Sequence, residues 1–121
     1  MQKRILIVDD EIFMIQLLKY NLHKNGYEVY SASNGTEAWK KLKSARIDLV
    51  ITDLDMPQMD GYELCRKIHS NKNLQNVPVI IVTCKTQSYN KEKISECGIK
   101  EYITKPFNPS YLLKVVGEVL K

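Results

Sequence analysis

Four small groups of reactive side chains stand out in this chain, each placed directly after a short apolar run. Asp9-Asp10-Glu11 follow Ile5-Leu6-Ile7-Val8. Asp53 follows Leu49-Val50-Ile51-Thr52, with Asp55 two residues further on. Thr83 follows Val79-Ile80-Ile81-Val82, and Lys105-Pro106 follow Tyr102-Ile103-Thr104. Carboxylates brought within a few ångströms of one another repel and raise one another's pKa. A divalent cation removes that cost. Mg2+ suits such a set because it takes oxygen ligands in an octahedron and keeps several of its waters. The cation can bridge a phosphoryl oxygen and neutralise developing charge. A lysine adds a point charge on another oxygen, and a threonine hydroxyl adds a donor. Asp53, in the middle of the group, is the natural nucleophile, since carboxylates form acyl phosphates.

These groups meet only if the elements that carry them are parallel strands of one sheet. Five strand-like runs recur, the four above with Tyr102-Ile103-Thr104 among them, and Glu28-Val29-Tyr30-Ser31-Ala32. The first, third and fourth are almost wholly apolar and rich in β-branched residues, as expected of strands buried on both faces. Helical patterns lie between them. Met14, Leu18 and Leu22, with Ile15, mark the first, closed by Asn25-Gly26. Ala38, Leu42 and Ala45 mark the second, and Leu64, Cys65 and Ile68 the third, opened by Asp60-Gly61. A short fourth covers residues 90–97 with Ile94 and Cys97 as anchors. The fifth presents Leu112, Val115, Val116 and Val119, with Asn108 or Ser110 as its cap. This alternation predicts an α/β, flavodoxin-like (βα)5 domain over residues 1–121: a doubly wound parallel sheet in strand order 2-1-3-4-5. In such folds ligands sit beyond the carboxyl ends of the strands, where the reactive groups fall.

Composition narrows the classes. The 121 residues suffice for one domain, and 44% apolar with 26% charged residues is ordinary for a globular protein. No apolar run approaches the ~20 residues of a membrane span, and the N-terminus lacks a secretory signal, so the expected location is the cytoplasm. Cys65, Cys84 and Cys97 are odd in number and without C-x-x-C spacing, which points to reduced thiols. His23 and His69 each read as solvated helix residues. The net charge is +4, with Lys40, Lys41 and Lys43 together. Without interleaved aromatics these read as a solvated helix face rather than a nucleic-acid surface.

The segments Ile7-Val8-Asp9-Asp10-Glu11, Thr52-Asp53-Leu54-Asp55-Met56-Pro57, Met59-Asp60-Gly61, Val82-Thr83 and Lys105-Pro106-Phe107 resemble, in order and spacing, the motifs of response-regulator receiver domains. The resemblance spans the whole chain. It implies that Asp53 accepts a phosphoryl group from a phosphohistidine on a sensor histidine kinase or histidine phosphotransfer protein. It implies that Asp10, Asp53 and the backbone carbonyl of Asp55 bind Mg2+ directly, with Asp9 acting through a metal-bound water. Lys105 would pair with the phosphoryl group across a cis Lys105-Pro106 bond. Thr83 would move towards the phosphoryl group with Tyr102 swinging in behind it. The output surface for a target protein or domain would be the fourth helix, fifth strand and fifth helix, and a phosphorylation-dependent dimer is compatible with it. Asp55 and Lys85 would line the water approach that sets the phosphoryl lifetime.

Plainer alternatives stand beside these. Asp9-Asp10 would also serve as a helix cap, Asp53 as a turn opener, Thr83 as a strand residue, Lys105 as surface charge and Tyr102 as a half-buried strand aromatic. Asp53-Leu54-Asp55 also matches the nucleophile and general-acid pair of haloacid-dehalogenase-like phosphatases, although it follows the third apolar run and Pro57 interrupts the continuation. A third class, a binding module that is never phosphorylated, conflicts with the presence of every reactive group.

Overall fold

The elements follow the apolar periodicity closely. A computed structural model describes residues 2–84 and 90–121. Strands β1 (Arg4–Val8), β2 (Glu28–Ala32), β3 (Leu49–Thr52), β4 (Val79–Thr83) and β5 (Glu101–Thr104) alternate with helices α1 (Ile12–Lys24), α2 (Gly35–Ser44), α3 (Gly61–Ser70), α4 (Lys91–Glu96) and α5 (Pro109–Val119). The strands form one parallel sheet in the order β2-β1-β3-β4-β5, as the alternation predicts. The register sets Val8 beside both Ala32 and Thr52, and Thr83 beside Thr104, so the strand ends line up along one rim.

Each strand divides its side chains between two cores because successive residues point to opposite faces. Leu6, Val8, Val50, Val79 and Ile81 pack with Ala38, Leu42, Leu64, Cys65 and Ile68. Ile5, Ile7, Leu49, Ile51, Ile80 and Val82 pack with Leu18, Leu22, Leu112, Val115 and Val116. The central strands β1, β3 and β4 are therefore buried on both sides, and edge strand β2 is only half-buried.

Asparagine and aspartate side chains open four of the helices. Asn34, Asp60, Asn90 and Asn108 accept from the backbone N–H groups of Glu37, Glu63, Lys93, and of Ser110 and Tyr111. Asn108, not Ser110, caps α5. The N-cap of helix α1 is Glu11, whose own side chain makes no cap hydrogen bond, while Asp9 Oδ1 accepts from the Glu11 N–H at 2.9 Å just ahead of the helix. Gly26 sits just past α1 at φ +91°, a conformation that requires glycine.

Several local expectations shift. Ala45 is the half-buried C-cap of α2 rather than part of its buried stripe. Cys97 is buried but lies one residue beyond α4. His69 is half-buried, not solvated. Its Nδ1 lies 3.6 Å from the Cys65 sulfur, and its ring packs against Gly98. Burial pushes the Cys65 thiol up to about 12, which keeps it protonated and inert. The three cysteines are free thiols, and among the described residues no helix is long and apolar enough to cross a membrane.

Candidate functional site

The backbone places each reactive residue before any side chain is considered. Asp9, Asp53 and Lys105 are each the first residue after a strand, and each N–H is still held by the neighbouring strand. Asp9 N–H donates to Ala32 (3.1 Å), Asp53 N–H to Val8 (2.9 Å) and Lys105 N–H to Thr83 (2.8 Å). The ladder thus runs one step past the strand ends and fixes these residues along the rim. The Lys105-Pro106 peptide is cis, as the resemblance implies.

The side chains converge. Carboxylate oxygens of Asp9, Asp10 and Asp53 lie within 4.8 Å of one another. Asp9 and Asp53 are buried, and Asp10 is open to solvent. The Lys105 ammonium, with only 6% of its side chain exposed, donates to Asp9 Oδ2 at 2.8 Å and Asp53 Oδ2 at 3.2 Å. It also reaches Glu11 Oε1 at 3.3 Å. Burial alone would lower the Lys105 pKa, but hydrogen bonding and charge from Asp9, then Asp53, outweigh it and hold the ammonium above the ordinary lysine range. Burial pushes the Asp9 carboxyl up, and the hydrogen bonds from Lys105 and the Glu11 N–H offset this only in part.

The other oxygen of Asp53, Oδ1, accepts from the Asp55 N–H at 3.2 Å, and the Asp55 carboxylate in turn accepts from the Thr83 hydroxyl at 3.2 Å. Asp10, Asp53, Asp55, Thr83 and Lys105 therefore belong to one connected rim with Asp9. Tyr102 lies apart from it on edge strand β5, half-buried against the core beneath α2 and α3 and paired in register with Ile81. Lys85 lies outside the described residues.

Three carboxylates sharing one ammonium leave uncompensated negative charge on the rim. The spacing suits a small cation, since two oxygens on one Mg2+ stand about 3–4 Å apart. The set is all-oxygen and anionic, which is the donor chemistry a hard divalent ion needs.

Two participants had no assigned role in the sequence. Glu11 is the third carboxylate on Lys105, visible only as part of an acidic run. Gly61 seats the loop that carries Asp53: a Cβ there would lie 2.5 Å from the Asp53 carbonyl oxygen and 3.0 Å from Leu54 Cα. Its N–H also donates to the Leu54 carbonyl at 2.9 Å. Both atoms in the way are backbone, so Gly61→Ala must displace the Asp53 loop. The expected result is a loss of roughly 2 kcal/mol in urea denaturation together with weaker Mg2+ binding. A variant with wild-type values of both would show that the loop does not need this approach.

Comparison with known proteins adds an independent finding. The family described as the response regulator receiver domain matches residues 5–117. The chain is 38% identical over 121 residues to the alkaline phosphatase synthesis transcriptional regulatory protein PhoP of Bacillus subtilis, covering 100% of this chain and 50% of PhoP. It spans about half the length of this and two other regulators it matches. Among solved structures it is similar to the chemotaxis response regulator CheY4 of Vibrio cholerae, with a TM-score of 0.91, 34% identity, and coverage of 99% of this chain and 100% of that one. It is also similar to the response regulator TrrA of Thermotoga maritima in complex with Mg2+-BeF, with a TM-score of 0.88, 37% identity, and coverage of 98% and 100%.

Proposed function

The chain belongs to the response regulator receiver family of two-component signalling, and from that premise we propose that Asp53 is its phospho-acceptor. One observation carries the assignment. Asp53 is the buried carboxylate through which the whole rim is joined: one oxygen is held by the Asp55 N–H, the other by Lys105, and Asp9 and Asp10 stand alongside.

The donor is a phosphohistidine on a sensor histidine kinase or histidine phosphotransfer protein. The N–P bond of the donor breaks, an Asp53 carboxylate oxygen forms the new O–P bond, and the departing imidazole nitrogen takes up a proton. Asp10, Asp53 and the Asp55 backbone carbonyl would hold Mg2+, with Asp9 as the remaining carboxylate of the set. When bound, Mg2+ supplies charge neutralisation at the transferring group. Lys105 exchanges its contact with Asp53 for a phosphoryl oxygen, and its three donors let it keep Asp9 while doing so. Thr83 donates to a second phosphoryl oxygen. Movement of Thr83 and Tyr102 then alters the surface of α4, β5 and α5, where a target protein or output domain docks and where a phosphorylation-dependent dimer would form. Residues 1–121 act as one receiver domain in the cytoplasm, and its only catalysis is its own phosphorylation and dephosphorylation.

Intact-mass measurement after treatment with acetyl phosphate tests this reading. With Mg2+ the chain is expected to gain one phosphoryl group, and with EDTA none. Equal labelling in both conditions would remove the cation from the reaction. Turnover of unrelated phosphomonoesters would favour the dehalogenase-like chemistry instead.

A further inference from the structure

Thr83 is completely buried, and the partner its hydroxyl finds is a carboxylate, an acceptor that a phosphoryl oxygen would have to replace. Thr83 is 0% exposed, and its Oγ1 donates to Asp55 Oδ2 at 3.2 Å. That is longer than the usual range of about 2.5–3.0 Å for O–H donors. The same Asp55 donates its N–H to Asp53 Oδ1 at 3.2 Å. A hydroxyl has one proton to give. In a buried position it cannot leave one acceptor without taking another, because an unsatisfied buried donor is costly.

We propose that the Asp55 carboxylate is a positioning residue that holds the Thr83 hydroxyl away from the phosphoryl site, so that engagement of Thr83 by a phosphoryl group requires exchange of one acceptor for the other. The Asp55 side chain opposes the switched state through Thr83, and its N–H orients the Asp53 oxygen that it touches. This inference rests on Asp53 being the phospho-acceptor.

The test is a double-mutant cycle on affinity for beryllofluoride, a tetrahedral phosphoryl mimic, measured by calorimetry at saturating Mg2+. Asp55→Ala removes both a negative charge and the Thr83 acceptor. In a Thr83→Ala background the Thr83 contact is already absent, so every other effect of Asp55→Ala is shared by the two backgrounds. The expected result is that Asp55→Ala tightens beryllofluoride binding by about fivefold more with Thr83 present than with Thr83→Ala, the worth of one ordinary hydrogen bond. Thr83→Ser, which keeps the hydroxyl, should restore the larger factor. Equal factors in the two backgrounds, or a smaller factor with Thr83 present, would overturn the proposal. Absence of beryllofluoride binding in the wild type would instead overturn Asp53 as acceptor.

Discussion

Asp53→Asn is expected to abolish phosphoryl labelling by acetyl phosphate in the presence of Mg2+, while leaving the protein folded. The substitution is nearly isosteric. The amide oxygen can still accept from the Asp55 N–H, so the loop keeps its anchor. What is lost is the anionic oxygen that, in the proposed function, forms the acyl phosphate. The folded state should tolerate the change because the rim is overloaded with charge: Asp9, Asp10 and Asp53 crowd within 4.8 Å of one another, the one ammonium beside them is bonded to Asp9, Asp53 and Glu11, and removing one carboxylate relieves repulsion. Metal-free stability is therefore expected to hold or rise, whereas Mg2+ affinity falls with the loss of a charged ligand. Intact mass and urea denaturation on the same samples separate the two effects. Labelling that persisted at full stoichiometry would place the acceptor elsewhere, with Asp9 and Asp10 as the nearest carboxylates.

The parts of this site that could be read from the sequence are those that depend on strand ends. β1, β3 and β4 are buried on both faces, so their residues form nearly unbroken apolar runs, and the reactive residue at or just past the end of each, Asp9, Asp53 or Thr83, falls on the rim. Lys105 is identifiable in the same way from its place directly after edge strand β5. The side-chain pairing could not be read in the same way. The Thr83–Asp55 bond and the Glu11–Lys105 contact join residues 28 and 94 positions apart. They depend on rotamers chosen within the packed rim, not on any period in the chain. The approach of Gly61 to Asp53 likewise needs the loop path to be known. That loop includes Gln58 at φ 70°, a left-handed conformation in a residue type that does not announce it. At α4 the signal was weak for a physical reason: a six-residue helix with no buried residue has almost no amphipathic pattern to show.

Lys105→Ala should be the most destabilising change at the rim, and the loss should depend on metal and pH. The wild-type ammonium is nearly buried between Asp9 and Asp53, whose side chains are 3% and 6% exposed. Removing it orphans two desolvated carboxylates, at a cost on the order of 3 kcal/mol in EDTA at pH 7. That figure is the penalty for the uncompensated charges, not the net worth of the pair. In a domain whose total stability is typically about 5–15 kcal/mol it is a large fraction. The pH dependence follows from both partners. Lys105 has its pKa raised by folding, so its contribution is fully present below the ordinary lysine value of 10.5 and is lost as pH rises through the higher folded value. Asp9 is also raised by burial, so its ionisation costs stability as pH rises above the ordinary value of 3.8, and more so without Lys105. The gap between wild type and variant should thus be widest near neutral pH and narrow towards acid, where the carboxyls are protonated, and towards strong alkali. Mg2+ should narrow it too by compensating the same carboxylates, and should bind the variant at least as tightly because no ammonium competes for them. Phosphotransfer should nevertheless be impaired, since the charge proposed to meet the phosphoryl oxygen is gone. Urea denaturation with EDTA and with Mg2+, from pH 4 to 11, reads all of this at once. A variant as stable as wild type in EDTA at pH 7 would mean that Lys105 does not compensate the rim.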